Sequence, residues 1–349
     1  MNTQYFQAAT AALILVAGAV QAQSDSNYAG TTQLGTDNSA IVTQAGGTGN
    51  SFVGSQQGSM NSLEALQTEG FENRSVVGQA GHANQVYVEQ TGAGYAGATV
   101  QQAGEANKAT VIQYYAWDNI AQVNQQGIGN EAYVWQEVDM NYAQVQQTES
   151  SYNTAHASQR GFLNITNITQ TGGVVNSASI SQRGDYNIGL IQQAGGQDHE
   201  GKIEQDGIDG FAKITQEGGW QNKAVVYQHG SWDEYGDWNS ASVTQLGGGD
   251  NDVEVHQDGS YHTATVMQNG GADNTVNIYQ RGTMHTADVY QEGGMDNLAD
   301  LTQSGEGNSA SVQQYGGVLN MAVVGQDGVG NLSETMQHGS GNTSVVSQH

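Results

Sequence analysis

The side chains that could do chemistry in this chain are amides. A Gln closes a short segment at Gln33, Gln44, Gln56, Gln67, Gln79 and Gln90, and so on to Gln348, 28 times in all. Within a segment the pattern is Asn-x-Ala-x-Val-x-Gln, as in Asn38-Ser39-Ala40-Ile41-Val42-Thr43-Gln44. A primary amide carries two donors and an oxygen with two lone pairs. Identical amides stacked above one another can therefore link into ladders, as they do in cross-β structure. This is binding chemistry aimed at copies of the same residue.

Other groups have weaker claims. Asp250, Asp273 and Asp296 lie 23 residues apart and each precedes an Asn. On consecutive rungs their carboxylates would form a row that calcium could bridge, or that salt simply screens. No other cofactor is expected, and no metal site is firmly indicated. His262 and His285 occupy the slot normally held by Asn, as does His199. Stacked imidazoles can bind a metal, but replacement of an amide in the ladder accounts for them. Trp117, Trp135, Trp220, Trp232 and Trp238, with outward Tyr87, Tyr133, Tyr227, Tyr279 and Tyr290, could make a contact surface; outward aromatics more often pack beside their neighbours. No nucleophile elbow or pair of catalytic acids stands apart from the repeat, so no catalytic residue and no enzymatic activity are expected.

The amides need elements to hold them. Asn, Ala, Val and Gln at i, i+2, i+4 and i+6 share one face of a β-strand, with polar or aromatic residues on the other. Spacings between closing glutamines alternate 11 and 12, so two strands make a 23-residue unit. A period in this range marks a stacked repeat. Gly follows two residues after the closing Gln in 23 of the 27 turns, which predicts a positive φ there. After Gln67, Gln113, Gln136 and Gln147 it is missing, and near the last two the alternation slips; the spacing reads as a local irregularity. The expected fold is all-β, a two-sheet β-solenoid of about 14 strand-turn-strand rungs. A longer turn at residues 230–238 should bulge without breaking the stack.

Composition agrees. Pro is absent, as stacked strands require, and Cys is absent, so repetition must supply the stability. The net charge of −26 argues against nucleic acid and anionic membranes as partners. Residues 8–20 have the length of a secretory h-region, and Val20 and Ala22 fit the small-residue rule. Residues 1–22 are read as a signal peptide cleaved between Ala22 and Gln23, and 23–349 as one repeat domain. The apolar stretch is too short for a membrane span.

These residues resemble the curlin repeat, the unit of bacterial curli subunits. The family pattern Gln-x-Gly-x-x-Asn-x-Ala-x3-Gln is matched at Gln33, Gly35, Asn38, Ala40 and Gln44, and again at Gln303, Gly305, Asn308, Ala310 and Gln314. The resemblance covers residues 27–348. Asn stands where the family often has Ser, and the chain carries nearly three times the rungs of the familiar major subunit. The resemblance implies a secreted subunit of an extracellular functional amyloid, used in biofilm matrix, adhesion and cell aggregation. It also implies a nucleator and outer-membrane secretion and chaperone machinery as partners. The final rung lacks the Lys and Arg of a nucleator, which favours a major subunit. Only residues 23–26 precede the first strand, in place of the family's longer secretion signal.

A solenoid with ordinary rungs at both ends should add to itself head to tail, through Asn27, Gln33, Asn38 and Gln44 at one end and Gln326, Asn331, Gln337, Asn342 and Gln348 at the other. The alternatives are a monomeric solenoid adhesin or surface-binding protein, or the nucleator of such fibres.

Overall fold

The computed structural model describes residues 20–23, 26–230 and 237–349, with side chains from Ser26 onward. Its strands form two parallel sheets. Sheet 1 has 15 strands and contains Ser39–Ala45; sheet 2 has 14 and contains Tyr28–Thr36. Successive strands alternate between the sheets, and each pairs with the strand one rung away, as Ala40 with Leu63 and Gln44 with Gln67. The 14 rungs expected from the repeat are present. At the usual strand spacing they span roughly 65 Å.

Alternation decides which residues are buried. In Lys108–Tyr114, for example, Ala109, Val111 and Gln113 point inward and are buried, while Lys108, Thr110 and Ile112 face out. The apolar centre is a thin seam of Ala, Val and Ile between the sheets, continuous from Ala40 to Val324. Its volume is balanced across the sheets. Gly189 and Gly201 take positions usually held by Ala, and a Cβ on either would meet a methyl of Ile180 or Ile191 from the facing sheet, at 2.7 and 3.1 Å.

The predicted positive φ is present, in two forms. In the short turn from Gln79 to Asn84, Gly81 lies at φ 115°. A Cβ there would strike the carbonyl oxygen of Gly104 on the next rung, so glycine is obligatory. In the longer turn from Gln193 to His199, Gly195 lies at 64° with open space around it. The residues that replace glycine, Glu69, Tyr115, Val138 and Glu149, stand at 54°, 44°, 72° and 54°. That is the left-handed helical region, which side chains tolerate at a modest cost.

The irregularity is not merely local. The ladder slips once, between Gln125 and Gly127 where Ile120–Ile128 meets Tyr142–Ser151. Before it, the long turns lead from sheet 1 to sheet 2; after it they lead from sheet 2 to sheet 1. Isolated bridges follow them, through Thr48, Phe71, Gly94 and Trp117 on one edge, then from Ser151 through Val174 to Val318 on the other. The last turn, Gln337 to Asn342, reverts to the short form. Gly339 and Gly341 lie at φ 96° and 68°, like Gly35 and Asp37 at 123° and 55° in the first turn of that edge.

Around the longer turn the stack is continuous, with Gln216 bonded to Gln245 and Gln228 to Gln257 across 29 residues. Trp232 and Tyr235 lie outside the described residues. So do residues 1–19 of the expected signal peptide. Val20–Gln23, at its cleavage point, is a strand of sheet 1 paired with Val42 to Ala45 of Ser39–Ala45.

Candidate functional site: the amide ladders and their ends

Each closing Gln is held inward by its strand, and its Nε2 is turned toward main-chain carbonyls. Gln56 Nε2 donates to the oxygens of Ser39 and Asn61 at 2.9 and 3.1 Å. These carbonyls fix the amide orientation, because only the nitrogen can donate to them. The second Nε2 hydrogen goes to the Oε1 of the next Gln, as from Gln56 to Gln79 at 2.8 Å. In sheet 2 this runs without a break from Gln33 to Gln337, and in sheet 1 from Gln44 to Gln348. Every such bond points the same way, donor toward the C-terminal side.

Asn runs the opposite way. Asn61 donates from its main-chain nitrogen and its Nδ2 to Asn38 Oδ1, at 3.0 and 3.1 Å, while Nδ2 also reaches Gly81 O. Buried amides this far from water stay paired only because neighbouring rungs supply the partners.

The ends follow from the polarity. At the first rung Gln44 Oε1 is buried and has no hydrogen-bond partner. Ala22, in register with Gln44, carries no amide. At the last rung Gln337 and Gln348 donate to the main-chain oxygens of Met321 and Leu332, at 2.8 and 2.9 Å, with no further Gln beyond them among the described residues. Asn331 and Asn342 accept nothing there but donate back, to Asn308 and Asn320. Gln326 sits one step inside the last rung, bonded to Gln348, while Asn27 heads the sheet 2 column of Asn and its Oδ1 accepts from Asn50. The outer face of the last rung exposes Leu332, Met336 and Val345.

The histidines act as amides. His262 and His285 are fully buried and stacked, with ring centroids 5.0 Å apart. Each Nε2 meets the carbonyl four residues earlier, Asp258 at 3.2 Å and Arg281 at 3.0 Å. Each Nδ1 receives the main-chain N–H of the next rung, from His285 and Asn308. His199 likewise accepts from Asn222. Burial pushes His262 down to about 4, with the neighbouring His285 adding to the shift.

Asp250, Asp273 and Asp296 are exposed on consecutive rungs, at φ 51°, 53° and 54°. Asp tolerates this conformation better than most residues, which explains the row without a ligand. No cluster of three or more His, Cys, Asp or Glu suited to a metal occurs among the described residues.

The aromatics do not form one surface. Trp117 and Trp220 sit in turns on opposite edges, whereas Tyr133 and Tyr227 stack on His156 and His256 on the outer face of sheet 1, at 4.9 and 4.6 Å. Sequence reasoning missed a network there. Tyr87 and Tyr114 both donate to Glu89 at 2.7 Å, and burial followed by the Glu89 bond pushes the Tyr87 phenol upward. It also missed the ladder polarity, which depends on where turn carbonyls lie.

Two parallel sheets joined by unbroken inward amide ladders define a structural protein of amyloid type. Residues 271–295 and 294–328 match the model of the curlin associated repeat, and the ladders carry the same arrangement beyond them in both directions. Curlin associated repeats are thus present over residues 271–328. No curated protein matches it. No helix among the described residues is long and apolar enough to cross a membrane.

Proposed function

We propose that the exported chain is a non-enzymatic structural subunit of an extracellular curli-like fibre, serving biofilm matrix and adhesion, and that it polymerises head to tail. The observation that carries this reading is the buried, unpartnered Gln44 Oε1. Unsatisfied buried acceptors cost about 1–3 kcal/mol. A donor amide such as Gln348 of a second copy would satisfy Gln44, and Gln337 would do the same for Gln33. Asn331 and Asn342 would offer their oxygens to Asn27 and Asn38. The match between the last and first turns on one edge supports the same stacking. The contact is heterologous and need not close, so it yields a filament. Nucleation by a related subunit and passage through an outer-membrane secretion apparatus are part of this proposal.

The test is electron microscopy with thioflavin-T kinetics on residues 23–349 diluted from denaturant. Unbranched fibres after a lag are expected. Gln44→Ala should lengthen the lag several-fold, whereas Thr43→Ala, one residue away and outward, should change it little. Equal effects would remove the ladder from the mechanism, and a stable fibre-free monomer would assign the chain to a monomeric adhesin.

A further inference from the structure

The two outer faces differ in charge. On sheet 2, the eight strands from Tyr28–Thr36 to Ile188–Ala194 present four outward columns in register, running for example through Val53, Val76, Thr99 and Gln122. In those columns Arg74, on the margin, is the one charged residue. The outer face of sheet 1 over the same rungs carries Glu64, Glu89, Glu131, Glu137, Glu200 and Glu204 among others. In a chain with 34 acidic residues, none of those described lies in these columns of one broad face.

That face is exposed and suited to packing. Val53, Ile120 and Ile165 are 44, 43 and 39% exposed. Gly78 opens a trough of about 380 Å³ beside Val53, Val76 and Gln101. A second trough of about 270 Å³ adjoins it, between Gln122, Asn124 and Gln144. The amides around them are only partly used: Tyr142 donates to Gln122, and Asn167 to Gln144 at 3.3 Å. Seven inter-strand steps by a seven-residue strand give a patch of about 34 by 20 Å. Two such patches face to face would bury on the order of 1,400 Å², the size of a specific interface.

We infer that this face of sheet 2 is a lateral interface for a second copy of the chain, packed sheet against sheet through interleaved Gln, Asn, Thr and Val side chains. Charge selects the occupant. Any contact through sheet 1 brings carboxylates of two copies together, as would the later strands of sheet 2 with Glu217, Asp288, Glu292 and Glu334, whereas the eight-strand face against its counterpart brings none. Flat, uncharged β faces rich in amides are those that form dry interdigitated contacts. The inference goes beyond head-to-tail growth: end stacking makes the filament, and this face joins filaments side by side.

The experiment compares wild-type fibres with Gln101→Glu/Gln146→Glu, which places two carboxylates on the face two strands apart. The control is Thr110→Glu/Ser158→Glu on sheet 1. Mass per length by scanning transmission electron microscopy should be at least twofold above one solenoid for wild type and control, and fall to one solenoid for the sheet 2 variant. Persistence of single filaments shows that the variant still folds, and 1 M NaCl should partly restore its pairing. Wild-type filaments that are single at every salt concentration, or variants that pair equally, would overturn the interface. Single wild-type filaments that sediment with insoluble neutral β-glucan, with binding lost in the sheet 2 variant, would overturn the second copy in favour of a glycan. If no fibres form, the fibre reading fails separately. The face is then judged by sedimentation of the soluble chain, where a wild-type dimer and a monomeric sheet 2 variant support it and a wild-type monomer overturns it.

Discussion

At the scale of residues, each inward position is specified by the rung above, the rung below and the facing sheet. Gly189 illustrates the last. Its backbone has no need of glycine, and alanine ordinarily favours a strand more. The methyl of Ile180 occupies the space instead. Gly189→Ala should therefore destabilise the chain by about 1–3 kcal/mol, and Ile180→Leu, which lacks the Cγ2 methyl that the new Cβ would meet, should recover much of that loss. A denaturation cycle over the two sites checks this; additive effects would mean that the methyl yields freely. His262 makes a prediction of different kind. In the unfolded chain it takes up a proton near pH 6.5, but in the folded chain only near 4, because burial penalises the charge. Stability is complete above pH 6.5 and is lost progressively as pH falls toward 4, by on the order of 3 kcal/mol. Protonation would also cost Nδ1 its bond from His285. Thermal melts of His262→Asn, which restores the usual ladder residue, should show a shallower loss between pH 6.5 and 5. An unchanged slope would place the acid sensitivity elsewhere.

At the scale of elements, strands were legible in the sequence because one two-residue alternation fixes burial, amide position and register together. Turns were legible only in part. The spacing of 11 after Gln136 was visible, but which sheet each turn left was not, so its lasting transfer of long turns to the other edge was hidden. Ladder polarity was hidden for a related reason: turn carbonyls orient Gln56 and its equivalents, and their placement depends on two rungs at once. The balance of Gly189 against Ile180 joins facing sheets through space, and no periodicity announces it. Turn logic does yield an expectation for residues 230–238. Removing residues 231–236 would leave Gln228-His229-Gly230-Asp237-Trp238-Asn239, a short turn with Gly two after Gln. Trp238, at φ 47°, already has the conformation required before the Asn. The deleted chain should melt within a few degrees of the intact one and polymerise normally. A broken ladder would appear as a large loss of cooperativity, since each rung leans on its neighbours.

At the scale of the whole molecule, growth depends on which edges are open. The described N-terminal side is uneven: sheet 2 ends at Tyr28–Thr36, but Val20–Gln23 covers part of Ser39–Ala45 in sheet 1. Covering an edge strand is a general way of preventing pairing with another chain. Cleavage between Ala22 and Gln23 would remove three of the four covering residues and bare the main chain beside Gln44. Processing would then do two jobs, releasing the chain and opening its growing edge. A precursor retaining residues 1–22 should elongate fibres several-fold more slowly than residues 23–349 when added to the same preformed seeds. The slowing should persist in a precursor whose residues 8–16 are made polar, because it arises from the pairing of Val20–Gln23 and not from an apolar leader. Equal elongation by all three chains would show that the short strand is displaced without cost, leaving the amide ladder alone to govern end-to-end addition.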